Sequence, residues 1–347
     1  MASLKRIAVD LGVSYTLVSK VLSGKMGTTG VSPNTREAII RRAKALNYTP
    51  NRLAVALKAG RKGAVGIFLH HIGSPGSDVS DRLLRGIAEG LERSGSRMWL
   101  RFFTTDEDFL AACGPGLKSE VDGLIVAGVH HPKLMPKFAD LERDNVPVVS
   151  LFNDLSESDR KALANVEVNY EMQGYLATRH LLEKGCRRLA CFDTVEHRTA
   201  GFVRAHREAK VKYDPRLLIP TTKSFLRENT RESIAKLLGL DVPFDGIVCQ
   251  ADVQAIAVIN ELVRRGINVP GSVKITGVDN SPAAEDCFVP ITSVTSEMKR
   301  AGLKAVEMLL RKIEGHPVKS AVIDPGLVVR ISSGAPQSKY TESSDLK

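Results

Sequence analysis

Beyond residue 63 the chain repeats one pattern: a short apolar run ending in a turn, then an amphipathic stretch of helical period. AVGIFL (64–69), MWLRFF (98–103), GLIVAG (123–128) and VPVVSLF (146–152) are such runs, with VSDRLLRGIAEGLERSG (from Val79) and LMPKFADLERD among the stretches between them. A second set follows in RLACFD (188–193), FDGIVCQ (244–250) and VKITGVD (273–279), separated by helical stretches such as AIAVINELVRRG. Strands that alternate with helices of roughly 10–15 residues form parallel sheets, because a parallel neighbour is reached only through a crossover. Two sets predict two α/β lobes, each with strand order 2-1-3-4, and a ligand cleft at the carboxyl ends of the strands. The 43% hydrophobic content of the 347 residues is ample for such cores and excludes a disordered chain.

The first 62 residues are built differently. They hold twelve Lys and Arg but only two acids, Asp10 and Glu37, whereas residues 63–347 hold 37 basic and 37 acidic side chains. The whole formal charge of +10 therefore sits in the amino-terminal segment. Charge that serves solubility is spread out; charge this concentrated marks a polyanion binder. A membrane-surface arm would need a sustained amphipathic helix, which the segment lacks. The chain has no run of about 18 or more apolar residues, the length that spanning a bilayer needs. MASLKRIAVDLG lacks the apolar core of a secretory leader, so secretion is not expected. Five cysteines without a CxxC pair fit reduced thiols in a cytoplasm better than disulfides or a zinc site.

LKRIAVDLGVSYTLVSKVL (4–22) contains two short helical patterns joined by GVS. Ile7, Leu11, Val13, Val18 and Val21 are spaced to meet between them, and Ala8 is small where the second helix must cross. Gly12 suits the left-handed backbone of a tight turn, and Ser14 is placed to cap the second helix. This is a helix-turn-helix, whose second helix enters the major groove. A third helix is predicted in VSPNTREAIIRRAKALNY, with Ser32 as cap and Pro33 at the first helical position. The next stretch, NYTPNRLAVALKAG (47–60), offers only a short run from Arg52 to Lys58. Isolated helices need ~12–15 residues to be even marginal in water, so that run requires a partner.

IAVDLGVSYTLVSKVLSG, VSPNTREAI and LNYTPNRLAVAL together resemble the lactose/galactose repressor family of bacterial transcription regulators, and the likeness extends to about residue 334. The resemblance implies an all-α helix-turn-helix headpiece (1–50), a hinge helix and linker (51–62), a two-lobed periplasmic-binding-protein type I core with parallel sheets (63–334) and a disordered tail (335–347). It implies that Tyr15, Thr16 and Lys20 meet base edges while Ser14, Ser19 and Thr35 meet phosphates. Thr16 and Lys20 also share one helix face by spacing alone. Asn51, Arg52, Ala54 and Leu57 would complete the DNA-binding set from a hinge that orders when two copies meet over the minor groove. Leu57 holds the place of the apolar wedge that unstacks a central base step. Two departures are visible. Lys20 stands where arginine is frequent, and lysine lacks the fork that reads guanine best; SGKMGTTG (23–30) is longer than the family's usual loop.

For the core, the resemblance implies that Arg198 in EHRTAGF, Asp279 in TGVDNSP and Thr194 contact a small, sugar-like effector in the interlobe cleft. Helix capping and an interlobe salt bridge are the structural alternatives. Asp252 is expected as a helix cap, and Ala251 and Asn169 depart from polar and aspartate residues common at those places. The family's chain crosses three times, which gives the amino lobe residues 64–154 and 296–314 and the carboxyl lobe 165–290 and 319–333. Outside the resemblance, His70–His71 and His130–His131 end the first and third strands, which are neighbours in the expected order. A metal or acidic-ligand site is the sharper reading of these pairs, but no carboxylate or cysteine is spaced alongside. They are expected to be polar strand-end residues, with no metal and no cofactor.

The expected function is a ligand-responsive, DNA-binding transcription regulator, a repressor that binds a near-palindromic operator as a homodimer. Its expected partners are double-stranded DNA and a small-molecule effector, without a membrane. From the core alone the alternative is a cytoplasmic sugar-binding protein without regulatory role, against which the basic headpiece argues. An α/β enzyme is not expected. No GxGxxG or GxxxxGK[ST] follows a strand, GSPGS (73–77) is too weak to count, and no nucleophile–base constellation is visible.

Overall fold

The computed structural model describes residues 3–23, 26, 28–48, 60–70, 77–128, 134–152, 163–221, 225 and 227–336. The chain divides into two compact units, Met1–Gly63 and Ala64–Lys347. No described helix is long and apolar enough to cross a membrane.

Among the described residues the first unit contains three helices, α1 (Leu4–Leu11), α2 (Tyr15–Ser23) and α3 (Pro33–Ala45). Each starts where a serine hydroxyl relieves an unsatisfied amide. Ser3 accepts from Arg6 N–H at 3.2 Å, Ser14 from Leu17 at 3.1 Å and Ser32 from Thr35 at 3.1 Å. Gly12 ends α1 at φ 62°, the left-handed conformation the sequence called for. Ile7, Ala8, Val18, Val21, Ile39 and Ala43 form one buried cluster, with Leu11 and Val13 packed against it. An Arg42–Asp10 ion pair at 2.6 Å ties α3 to α1.

The second unit holds two six-stranded sheets. The amino sheet contains β1 (Ala64–His70), β2 (Arg97–Phe103), β3 (Gly123–Ala127), β4 (Val148–Leu151) and β5 (Ala164–Val168). The carboxyl sheet contains β6 (Leu189–Asp193), β7 (Leu218–Pro220), β8 (Gly246–Val248), β9 (Lys274–Asp279) and β10 (Thr292–Thr295). Two late strands, β11 (Ala321–Ile323) and β12 (Leu327–Val328), close one edge of each sheet. The orders are β11-β5-β4-β3-β1-β2 and β12-β10-β9-β8-β6-β7, all parallel except β10–β12. The expected 2-1-3-4 order therefore holds in both lobes, extended by two strands each. Every residue of β1 is buried, as a central parallel strand covered on both faces must be.

The lobe boundaries need correction. β5 pairs with β4 in the amino sheet although residues from 165 onward were expected in the carboxyl lobe, and β11, expected there too, pairs with β5. β10, between the expected blocks, belongs to the carboxyl sheet. The chain still crosses three times, at 168–170, 295–298 and 323–327. The reason for the misreading is that ANVEV and TSVT are polar strands. Thr292 and Ser293 are fully buried, but their hydroxyls are satisfied by the Arg330 carbonyl and the Asp252 carboxylate, so hydropathy does not mark them.

Candidate nucleic-acid interface and effector cleft

On the headpiece, Ser14, Tyr15 and Thr16 are exposed at the start of α2, and Ser19, Lys20 and Thr35 are half-buried. No acid lies in the first turn of any of the three helices, so their positive amino-terminal ends are left for anions. Both acids are neutralised internally, Asp10 by Arg42 and Glu37 by Arg41 at 3.3 Å. The Lys20 ammonium donates to Thr29 Oγ1 at 2.5 Å, which ties α2 to the loop between α2 and α3. Thr35 Oγ1 lies 2.8 Å from Ser32 Oγ. Asn51, Arg52, Ala54 and Leu57 lie outside the described residues.

In the core, Thr194 and Arg198 follow the carboxyl end of β6 and Asp279 ends β9, and Arg198 lies close enough to act on the Asp279 charge. Arg198 stands in the first turn of the helix Glu196–Ala209. That helix crosses the helix Tyr170–Glu183 at contact distance: a Cβ on Gly174 would lie 1.9 Å from the Arg198 carbonyl oxygen, and one on Gly201 2.0 Å from that of Glu171. Only glycine permits this approach. Arg198 is 7% exposed; its Nε donates to Gln173 Oε1 at 2.8 Å, its Nη1 donates to the Gln250 carbonyl, and its guanidinium centre lies 5.3 Å from the Tyr170 ring. Thr194 Oγ1 accepts from Thr221 at 3.2 Å and from Gln254 Nε2 at 3.5 Å.

Asp279 ends β9 at φ 121°, a strained conformation for a non-glycine residue. It is 7% exposed, and among the described residues no hydrogen bond reaches its carboxylate. Burial pushes its pKa from 3.8 up to about 7; Arg198 and Arg82 oppose that rise, while Asp252 and Asp78 add to it. Arg82 reaches in from the amino lobe, donating to Asp78 at 2.9 Å and to the Asn280 carbonyl at 3.4 Å. A buried acid without its own donor, beside two guanidinium groups, can accept hydrogen bonds from ligand hydroxyl or amino groups.

Asp252 is not the expected cap. Ala251, extended at φ −155°, precedes the helix Asp252–Arg264 and donates no side-chain cap. The Asp252 carboxylate instead accepts from Ser281 N–H at 2.7 Å and Ser293 O–H at 2.6 Å, pinning the β9 turn to β10. Burial raises its pKa, against those hydrogen bonds. His70 is also taken: its ring nitrogens lie 2.8 Å from the Phe103 carbonyl and 2.7 Å from Asp106 Oδ1, on the β2 side rather than the β3 side. His71, His130 and His131 lie outside the described residues. Among the described residues no three His, Cys, Asp or Glu are grouped to hold a metal.

Sequence reading missed Gln173, Gln250 and Arg82. Gln250 stands two residues past the end of β8, and its amide accepts from Val195 N–H at 2.6 Å and donates to Thr199 Oγ1 at 2.8 Å. Its place after a strand end was a usable signal. Gln173 had none: it is a fully buried polar residue inside a helix.

A basic helix-turn-helix unit and a two-lobed binding core on one chain define a ligand-responsive transcription regulator. Residues 3–51 match the model for bacterial regulatory proteins of the lacI family, and residues 178–333 match a periplasmic binding protein-like domain. The chain is 30% identical over 339 residues to the HTH-type transcriptional regulator DegA of Bacillus subtilis, covering 94% of this chain and 96% of that one. It is 28% identical to the HTH-type transcriptional repressor PurR of Glaesserella parasuis, covering 96% and 98%. Among solved structures, a transcriptional regulator CelR–cellobiose complex superposes with TM-score 0.69 at 25% identity, covering 96% of this chain and all of that one. The Lac repressor dimer bound to operator and the anti-inducer ONPF superposes with TM-score 0.69 at 19% identity, covering 96% and 99%, and bears on the fold alone. The chain belongs to the lacI family of bacterial regulatory proteins. It is a DNA-binding regulator and not an enzyme.

Proposed function

We propose that this chain is a cytoplasmic repressor that binds a near-palindromic operator as a homodimer and takes a sugar-like effector in the cleft through Thr194, Arg198 and Asp279. The division of labour is a headpiece at 1–50, a hinge at 51–62, a core at 63–334 and a tail at 335–347. One observation carries the effector reading. Arg198, in the first turn of the helix after β6, and Asp279, the last residue of β9, are each 7% exposed and act on each other electrostatically, with the Asp279 carboxylate unspoken for among the described residues. The cellobiose of the CelR complex supports a hydroxyl-rich ligand class. In the headpiece, Tyr15, Thr16 and Lys20 read bases, while Ser14, Ser19 and Thr35 position the phosphates.

Selection of bound sequences from random duplexes, with and without a panel of sugars and nucleosides, tests the reading. It should yield a two-fold site whose recovery changes with one class of compound; recovery of no preferred sequence would sink it. The hinge is tested by Leu57→Ala. Wedge insertion offsets a kinking cost on the order of a few kcal/mol, so this variant should weaken specific binding far more than nonspecific binding and reduce the DNA bend. Leu53→Ala should affect the bend less. Equal, small effects from both would make residues 52–58 a plain linker.

A further inference from the structure

We infer that Gln173 is the positioning residue that connects the effector arginine to the three interlobe crossovers, and so carries the regulatory signal out of the cleft. This rests on the reading of Arg198 as an effector contact.

The connection is an unbroken chain of hydrogen bonds. Arg198 Nε donates to Gln173 Oε1 at 2.8 Å, and Gln173 Nε2 donates to the Thr295 carbonyl at 3.0 Å. Thr295 is the last residue of β10, where the second crossover begins. It is bonded in turn to the third crossover: Thr295 N–H donates to the Gly326 carbonyl at 2.9 Å, and Gly326 N–H donates to Thr295 Oγ1 at 2.8 Å. The first crossover joins the same belt through Asn169, whose N–H donates to the Ile323 carbonyl at 3.0 Å and whose Nδ2 donates to Asp324 at 2.9 Å. Gln173 itself stands in the first turn after that crossover.

The chemistry singles out glutamine. An arginine Nε only donates and a backbone carbonyl only accepts, so the residue between them must do both with one planar group. The same constraint fixes which way round the amide lies. Glutamate would keep the acceptor for Arg198 and lose the donor to Thr295; methionine, of similar length, would lose both. Because Gln173 is fully buried, no water replaces either bond. A shift of the Arg198 fork toward a ligand therefore changes the acceptor and donor geometry at a place where all three crossovers are bonded together. Rotation of one lobe against the other must be absorbed in those few residues.

Amide hydrogen exchange of the full chain, without added ligand, tests this as a double-mutant cycle, with Arg198→Lys as the perturbation of the fork. In the otherwise unchanged protein, Arg198→Lys should lower protection of the Asn169, Thr295 and Gly326 amides about tenfold, within the range usual for coupled sites. In a Gln173→Glu or Gln173→Met background the same change should move them less than about twofold, because the connection is already cut. The Leu124 amide, which donates to the Pro147 carbonyl in the amino sheet at 2.8 Å, reports global loss of stability and should stay constant. Equal losses in all backgrounds, or no loss at the crossovers in the single variant, overturn the inference. Normal effector titration by Arg198→Ala would instead sink the effector reading, leaving the exchange result standing.

Discussion

The two units of this chain solve opposite electrostatic problems. The headpiece has few acids and pairs both, Asp10 with Arg42 and Glu37 with Arg41, so nothing near its helix ends competes for phosphate. The core is charge-balanced over its length but concentrates Asp78, Asp252 and Asp279 with Arg82 and Arg198 around one cleft, where burial strengthens the pull between charges and pushes Asp279 and Asp252 toward their neutral forms. One unit holds its charge in water, where it acts at long range and is screened by salt. The other hides its charge, where it acts only on what enters. Polyanion affinity and ligand selectivity are thus separable properties of separate folding units.

The largest effect that follows is on DNA. A protein that neutralises several phosphates loses ~10³–10⁵ in affinity between 50 and 200 mM salt. The full chain should show that steep slope, and residues 63–347 alone should show no salt-dependent duplex binding. Comparable binding by the isolated core would break the comparison outright.

The cleft comes next. Removing one partner of a buried charged site costs about 2–5 kcal/mol of ligand affinity, so Arg198→Ala and Asp279→Ala should each abolish the effector response at ordinary concentrations. Operator binding without effector should stay nearly unchanged. Calorimetric titration with the active compound from the panel reads the first, and band shifts read the second. If either variant titrates normally, its contact role is wrong.

How much of this was legible in the sequence follows the same division. The headpiece was readable almost residue by residue, because its signals are local: Ser14 and Ser32 cap, Gly12 turns, and Ile7, Val18 and Val21 meet. The core's repeating pattern gave its two sheets and their order. What could not be read were features set by distant partners. β10 hides behind buried hydroxyls, Asp252 caps nothing because Ser281 and Ser293 claim it, and Gln173 matters only because Thr295, far along the chain, lies opposite it. Tertiary hydrogen bonds leave no periodic trace.

A smaller effect concerns pH. The Asp279 pKa is raised, from 3.8 to about 7, so the folded core binds a proton that the unfolded chain releases. Its contribution to stability is therefore fully present below about pH 4 and is lost as pH rises through about 7. Asp279→Asn should flatten that part of the stability profile in chemical denaturation between pH 5 and 8. A hydroxyl-rich effector that needs the ionised carboxylate as acceptor should bind more tightly as pH rises through the same window. An unchanged profile in the variant would mean that Asp279 is ionised throughout.

The smallest effect sharpens the headpiece side, because Ser14 is asked to do two things there. Its hydroxyl oxygen caps α2 by accepting from Leu17 N–H, and its exposed position lets the same hydroxyl donate its hydrogen to a phosphate oxygen. Two substitutions separate these roles. Replacing a serine cap with alanine costs typically ~1 kcal/mol, whereas glycine costs only a few tenths, since glycine leaves the end amides open to water. Thermal unfolding of the headpiece should rank Ser14→Gly close to the unchanged chain and Ser14→Ala clearly below it. Operator affinity should rank them differently. Both lack the hydroxyl, so both should lose the ~0.5–1.5 kcal/mol of one hydrogen bond, and that loss should be similar across DNA sequences. If Ser14→Gly binds operator as well as the unchanged chain, the hydroxyl only caps, and the phosphate contact must come from the α2 backbone amides instead.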